Sequence, residues 1–290
     1  MKVLVIGGTR YFGKRLVNKL ISAGHDVDVM SRGQTPPHFD GPFRHLSCDR
    51  RNREALLNIT KDQYWDIVFD QVCMNAGDAR LALEAFSEKV GHYVMTSTQS
   101  VYGEGAGLCE SAFSPESYDF QEIADETKDY QAAKRQAESI FAKAKNLKST
   151  LVRFPLVVGE DDYTGRLKWH LEKVKRGDPI YLPNLDARIT MITSEDAAEG
   201  LSQIPLKSIT GPLNLASATP VRLKDLMEQI EKLLSIQAIY SSTPSEENWS
   251  PVGILNDWFM DSSRAREGGI TIRDTEEWLP SLLKHFKEEL

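Results

Sequence analysis

The sequence predicts an α/β protein built on an open, doubly wound parallel sheet, with a smaller and looser domain toward its carboxyl end. Three observations carry this. A β-branched run, Val3 to Ile6, ends in glycines; apolar residues then recur at helical spacing from Phe12 to Ala23; and strand and helix patterns go on alternating to about residue 154. A short apolar run closed by glycines reads as a strand buried on both faces. Strands that alternate with helices call for parallel pairing through right-handed crossovers.

Val3 to Ile6 form the first strand. Phe12, Leu16, Val17, Leu20 and Ile21 share one helical face, and Gly24 stands where a left-handed residue would end that helix. Val27 to Met30 close the unit as a second strand. The alternation continues with a strand at Arg44–Ser47, a helix from about Asn52, a strand at Ile67–Phe69, a helix near Arg80–Lys89 and a strand at Tyr93–Ser97. A long helix is predicted from about Ile123 to Ala144, followed by strand Thr150–Phe154.

After Pro155 the pattern loosens around Gly159, Gly165, Gly177, Pro179 and Pro183, with shorter helices near Leu167–Lys175 and Leu223–Leu234. Residues 1–158 are expected to form the sheet domain and 159–290 the smaller one. The two are expected to interleave, with strand-like Ile189–Ile192 and Leu213–Leu215 returning to the main sheet.

A chain of 290 residues with 41% hydrophobic content can bury a sizeable core. The net charge of −7 carries no basic block, so nucleic acid and anionic membrane surfaces are poor partners. Cys48, Cys73 and Cys109 lack any CxxC spacing, which argues against a disulfide framework or a structural zinc site and fits a reducing cytoplasm. The opening apolar run is too short for a signal or membrane segment. The histidines show neither HxxxH nor HExxH, so no metal is expected.

Between the first strand and the first helix lies GGTRYFG: Gly7, Gly8, Thr9, Arg10, Tyr11, Phe12 and Gly13. Backbone amides and a helix N-terminus placed there can hold a pyrophosphate, the arrangement of a Rossmann unit that binds a nicotinamide dinucleotide. The second strand ends in Met30, Ser31 and Arg32, where a binder of NAD usually places a carboxylate for the ribose hydroxyls. Ser31 and Arg32 suit a 2′-phosphate instead, with Arg10 adding charge from the turn, so NADP is preferred over NAD. Arg32 also reads as a solvated loop residue. Asp49, past the third strand, suits the adenine amino group, and equally an exposed turn.

Tyr130 and Lys134 stand at i and i+4 on the fourth long helix, one turn apart on one face. A tyrosinate base needs a neighbouring cation to be populated at neutral pH, and a lysine at this spacing supplies one. The fifth strand ends TSTQSVYG, Thr96 to Gly103, delivering hydroxyls to the carboxyl edge of the sheet where open α/β folds bind ligands. In the looser domain Tyr163, Arg166 and Trp169 suit stacking on a ring or holding an anion. A helix start packed through Trp169 explains the same letters.

These residues resemble the extended short-chain dehydrogenases/reductases, also called the NAD-dependent epimerase/dehydratase family, almost from end to end. The family's glycine turn corresponds to Gly7–Gly13, its Ser-rich strand ending VYG to Thr96–Gly103, and its YxxxK to Tyr130 and Lys134. Weaker correspondences are RFPLVVG at Arg153–Gly159, ITSEDA at Ile192–Ala197 and Pro212–Leu215. The resemblance implies Thr98, Tyr130 and Lys134 as catalytic residues, Pro155 beside the cofactor, hydride transfer at a carbonyl or carbinol, and a monomer or homodimer acting on a small, sugar-like substrate. Arg10 in place of the middle glycine, and DQVCMNAG at Asp70–Gly77, resemble an atypical Gly-Gly-Thr-Arg branch that includes chloroplast stem-loop RNA-binding proteins. Gln99 and Ser100 replace the Asp-Glu pair of the sugar dehydratases, which disfavours elimination. A reductase is the leading expectation, a nucleotide-sugar epimerase and a non-catalytic cofactor sensor or RNA-binding protein the alternatives.

Overall fold

Strand β1 (Lys2–Ile6) runs through the centre because its side chains bury on both faces: Val3 and Val5 enter one apolar layer, Leu4 and Ile6 the other. The computed structural model describes residues 1–34, 36–122, 127–207 and 209–290. In chain order the further strands are β2 (Asp26–Ser31), β3 (Arg44–Ser47), β4 (Trp65–Asp70), β5 (Val90–Thr98), β6 (Gly105–Leu108), β7 (Ser149–Phe154), β8 (Leu156–Val158), β9 (Arg188–Ile189), β10 (Met191–Thr193), β11 (Gly211–Asn214), β12 (Val221–Arg222) and β13 (Trp258–Met260). The helices are α1 (Tyr11–Ser22), α2 (Arg53–Thr60), α3 (Ala76–Phe86), α4 (Tyr130–Lys143), α5 (Lys168–Arg176), α6 (Ser194–Lys207), α7 (Leu223–Leu234), α8 (Ser263–Glu267) and α9 (Thr275–Glu288).

Seven strands form one parallel sheet in the order β11-β7-β5-β4-β1-β2-β3. The order reverses between β1 and β4, and a crevice opens there outside the carboxyl ends of the strands. α1 and α6 cover one face through Leu16, Val17, Leu20, Leu201 and Ile204. Helices α2, α3 and α4 cover the other through Leu56, Ala79, Ala82, Phe86 and Phe141. The predicted end of α1 is as expected: Gly24 has φ 75°, with His25 N bonding Leu20 O at 3.1 Å and Gly24 N bonding Ile21 O at 2.9 Å.

A second core gathers α5, α7 and α9 through Leu171, Met227, Ile230, Trp278 and Phe286. Residues 189–192 do not return to the main sheet. They divide between the pair β8–β10 and a four-stranded sheet, β12-β9-β13-β6, because Met191–Thr193 runs beside the strand that follows β7 while Ile189 pairs with Val221 and Trp258. β6 also belongs to that smaller sheet, although it falls inside residues 1–158. β11 pairs with β7 in the main sheet.

Helix α3 starts at Ala76, before the expected Arg80, because the Asn75 side chain caps the amide of Asp78 at 2.9 Å. The start expected for the long helix, Ile123, lies outside the described residues; the helix described starts at Tyr130, capped by Asp129 on the amide of Ala132 at 2.8 Å. α6 and α9 were not anticipated. α9 has a legible signal, a capping box of Asp274 and Glu277 ahead of an apolar stripe. Among the described residues no helix is long and apolar enough to cross a membrane.

Candidate active site

The turn from β1 to α1 is shaped by close approach. Gly7 has φ 82°, and a Cβ there would lie 2.5 Å from Val72 Cγ1. A Cβ on Gly8 would lie 2.7 Å from Val5 Cγ1 and 2.8 Å from Val17 Cγ2, so this glycine lets the helix pack on the strand. The residue before α1, Arg10, makes no side-chain cap bond and the first turn holds no acidic residue, an arrangement that suits an anionic group at the first amides.

A cavity of about 660 Å³ opens at this turn. Of the residues expected at the cofactor, Gly7, Thr9, Arg10, Tyr11, Phe12, Gly13, Ser31, Arg32 and Asp49 line this cavity; Gly8 and Pro155 are buried and do not. Gly8 is packed beneath the turn, and Pro155 lies between β7 and β8. Ser31 Oγ is held 2.9 Å from His45 Nε2, and Asp49 Oδ1 accepts from Arg51 N at 2.9 Å.

The cavity also draws on Arg50, Arg51, Gln71, Val72 and Met74, which the sequence reading missed. Arg50 is buried and donates to Asp70 Oδ2 at 2.7 Å, an oxygen that also accepts from the Tyr93 hydroxyl at 2.6 Å. Gln71 accepts from Thr96 Oγ1 at 3.0 Å. Arg50 Nε and Gln71 Nε2 are buried without a hydrogen-bond partner among the described residues. Unsatisfied donors are costly, and a polar ligand in this cavity relieves them. The glycine turn, the uncapped helix end and these donors all suit a dinucleotide. The available signal was position: Gln71 directly follows β4, at the carboxyl edge of the sheet.

Thr98 ends β5, where its Oγ1 accepts from Ser100 N at 3.1 Å and starts a tight turn. Lys134 is buried, its ammonium donating to Cys73 O at 2.7 Å and Thr96 O at 3.0 Å. Burial pushes the Cys73 thiol up to about 12, so it remains neutral beside this charge. Tyr130 is the first residue of α4 and is 41% exposed. Among the described residues no direct hydrogen bond joins Thr98, Tyr130 and Lys134. Their elements are nevertheless pinned together, since Gln131 Nε2 donates to Ser100 O and Tyr102 O, each at 2.7 Å.

Beneath them lies a buried pair that the sequence did not disclose. Glu138, one turn past Lys134, accepts from Ser97 Oγ at 2.5 Å and from Arg153 Nη2 at 2.5 Å, and both members of the ion pair are fully buried. Arg153 Nη1 reaches the Tyr102 hydroxyl at 2.7 Å, which donates to Asn214 at 2.7 Å. β5, α4, β7 and β11 are thereby tied into one polar network.

The three residues expected at the substrate separate. Tyr163 lines the cavity with its ring edge-on to Tyr11 at 5.8 Å. Arg166 is exposed on the same loop. Trp169 packs against the second core with Lys173 Nζ 5.5 Å from its ring, in the manner of a helix start.

A sequence profile described as the NAD dependent epimerase/dehydratase family matches residues 3–80 and 74–212. The chain is 26% identical over 206 residues to chloroplast stem-loop binding protein of 41 kDa b from Arabidopsis thaliana, covering 66% of this chain and 51% of that protein, about half its length. It is 25% identical over 256 residues to 2'-dehydrokanamycin reductase from Streptomyces kanamyceticus, 85% of this chain and 70% of that one. Among solved structures it superposes on a putative epimerase from Burkholderia cenocepacia J2315 with TM-score 0.75 and 18% identity over 99% of this chain and 98% of that chain. UDP-glucose 4-epimerase from Thermotoga maritima gives TM-score 0.73 and 17% identity over 100% and 99%. At these identities the two structures establish a shared fold.

Proposed function

Since the chain belongs to the NAD dependent epimerase/dehydratase family, we propose that it is an NADP-preferring oxidoreductase acting at a carbonyl or carbinol, with Tyr130 moving the proton. One observation carries the reading. The Lys134 ammonium is held by Cys73 O and Thr96 O, at the carboxyl edge of the sheet, one helical turn from Tyr130 and two residues from the end of β5 at Thr98. A cation fixed one helical turn from a tyrosine, at a ligand-binding edge, suits a site in which the phenol exchanges a proton with the bound substrate.

When bound, the nicotinamide supplies or accepts the hydride. Thr9, Gly13 and the first amides of α1 would hold the pyrophosphate, Asp49 the adenine, and Ser31 and Arg32 a 2′-phosphate. Lys134 would reach the ribose hydroxyls. In reduction Thr98 Oγ1 donates a hydrogen bond to the substrate oxygen and Tyr130 delivers the proton; in oxidation Tyr130 removes it. Residues 1–158 with β11 carry the cofactor, and the remainder shapes the substrate cleft. The substrate is a small, sugar-like molecule, and the compartment a reducing cytoplasm.

The reductase relative matched over 85% of this chain supports net reduction over epimerisation. Thermal shifts with NADPH and NADH, followed by NADPH consumption against a carbonyl panel, test the reading. A larger NADPH shift and net oxidation are expected. A nucleotide sugar turned over with no net NADPH loss points to an epimerase, which recycles its cofactor. Cofactor binding with every activity unchanged in Tyr130→Phe rules out the assigned proton transfer.

A further inference from the structure

The loop between β8 and α5 is fastened at its base and bare at its tip. Ser194 Oγ donates to Asp161 Oδ1 at 2.6 Å and Arg15 Nε to Asp161 Oδ2 at 2.9 Å, tying the loop to both helices on that face. Gly159 permits the first contact, since a Cβ there would lie 2.5 Å from Ser194 Oγ. Asp162 Oδ1 folds the tip by accepting from Thr164 N at 2.9 Å and Thr164 Oγ1 at 2.6 Å, and Gly165 takes φ 61°. Those bonds deliver Tyr163 to the cavity, where it is the one lining residue among those described that lies beyond residue 74.

Tyr163 is 77% exposed, so burial in the core does not account for its position. Its ring meets Tyr11, whose hydroxyl is buried without a hydrogen-bond partner among the described residues and whose backbone belongs to the glycine turn. Burial raises the pKa of the Tyr11 phenol, Asp162 and Asp161 add to the rise, and Arg166 opposes it. Asp161 pairs with Arg15, which also bridges Glu195, and Asp162 accepts hydrogen bonds within its own turn, while the Arg166 guanidinium has no ion-pair partner among the described residues. An aromatic ring against the turn, with a cation three residues further along the same loop, suits a ligand that carries rings and phosphates.

We infer that residues 161–166 clasp the dinucleotide, with Tyr163 covering it against Tyr11 and Arg166 supplying a cation to its pyrophosphate. This rests on the cofactor assigned above. The clasp belongs to the second half of the chain, so cofactor retention depends on the fit between the halves. Arg15 and Ser194 hold it in place.

Protein loaded with NADPH is mixed with excess NADP+ and the loss of bound-NADPH fluorescence is followed by stopped flow. In Tyr163→Ala the dissociation rate is expected to rise roughly tenfold. In Arg166→Gln it rises by a similar factor, and the ionic-strength dependence of NADPH binding becomes shallower, as loss of a charge-assisted contact requires. Both positions are exposed, and unchanged melting of the ligand-free variants confirms that they fold. A dissociation rate unchanged from wild type in either variant overturns the clasp. If wild-type protein takes up neither NADPH nor NADH, the cofactor reading falls, and the clasp with it.

Discussion

The ammonium of Lys134 donates to the carbonyl oxygen of Thr96 at 3.0 Å, which places a buried charge directly beneath the end of the strand that carries Thr98. A second bond to Cys73 O completes its setting. Its position is therefore set by one backbone carbonyl near the end of β5 and one in the loop that follows β4.

Lys134→Met and Tyr130→Phe are expected to differ. The methionine leaves two carbonyls without their donor and costs about 1–3 kcal/mol of stability, together with roughly 100-fold or more in kcat from the loss of acid–base support. The phenylalanine, at an exposed position, should lose turnover by a similar factor with melting unchanged. Urea unfolding beside steady-state kinetics separates the two, and equal destabilisation would contradict the placement of Tyr130.

Arg32→Ala tests the cofactor preference. Removing a guanidinium from a phosphate contact should weaken NADPH about tenfold, worth about 1.4 kcal/mol, and leave NADH unchanged. Titration of both cofactors at two salt concentrations checks this. Parallel losses for the two would assign Arg32 a role other than reading the 2′-phosphate.

Glu138→Gln and Arg153→Met each strand a fully buried charge and should cost roughly 3–5 kcal/mol. The paired substitution removes both charges and should cost less than the sum of the singles. A double-mutant cycle in urea measures the difference. Additive losses would mean that the pair is not coupled.

His92 and His170 set an acid limit. Burial holds each down to about 4, His92 also feeling Lys148, while His92 shares a hydrogen bond with Thr150 and His170 with Ser250. The unfolded chain takes up these protons near pH 6.5, so the stabilisation is fully present above that pH and is lost as pH falls toward 4. The loss is about 3 kcal/mol for each group. Urea midpoints between pH 7 and 4 should show this slope, and His170→Gln should reduce it. A slope unchanged in that variant would exclude His170 as a source.

Much of the fold was legible because its signals are local. The run Val3–Ile6, the stripe from Phe12 to Ile21 and the cap at Gly24 each need only a few neighbouring residues to be read. Helix α9 carries a local signal too, in the spacing of Asp274 and Glu277 before Trp278. The fate of residues 189–192 was not legible, since two-residue strands such as β9 owe their pairing to partners far along the chain.

At the site the division is similar. The amino-acid order by itself determined the glycine turn, the absence of a carboxylate after β2 and the one-turn spacing of Tyr130 and Lys134, because each depends on the geometry of a single turn, strand or helix. Only the tertiary structure decided that Lys134 lies on Cys73 and Thr96, that Arg50 and Gln71 bring unsatisfied donors to the cavity, that Glu138 meets Arg153, and that Tyr163 stands beside Tyr11. Those contacts join residues brought together by strand order and burial, and neither can be read from any one stretch of chain.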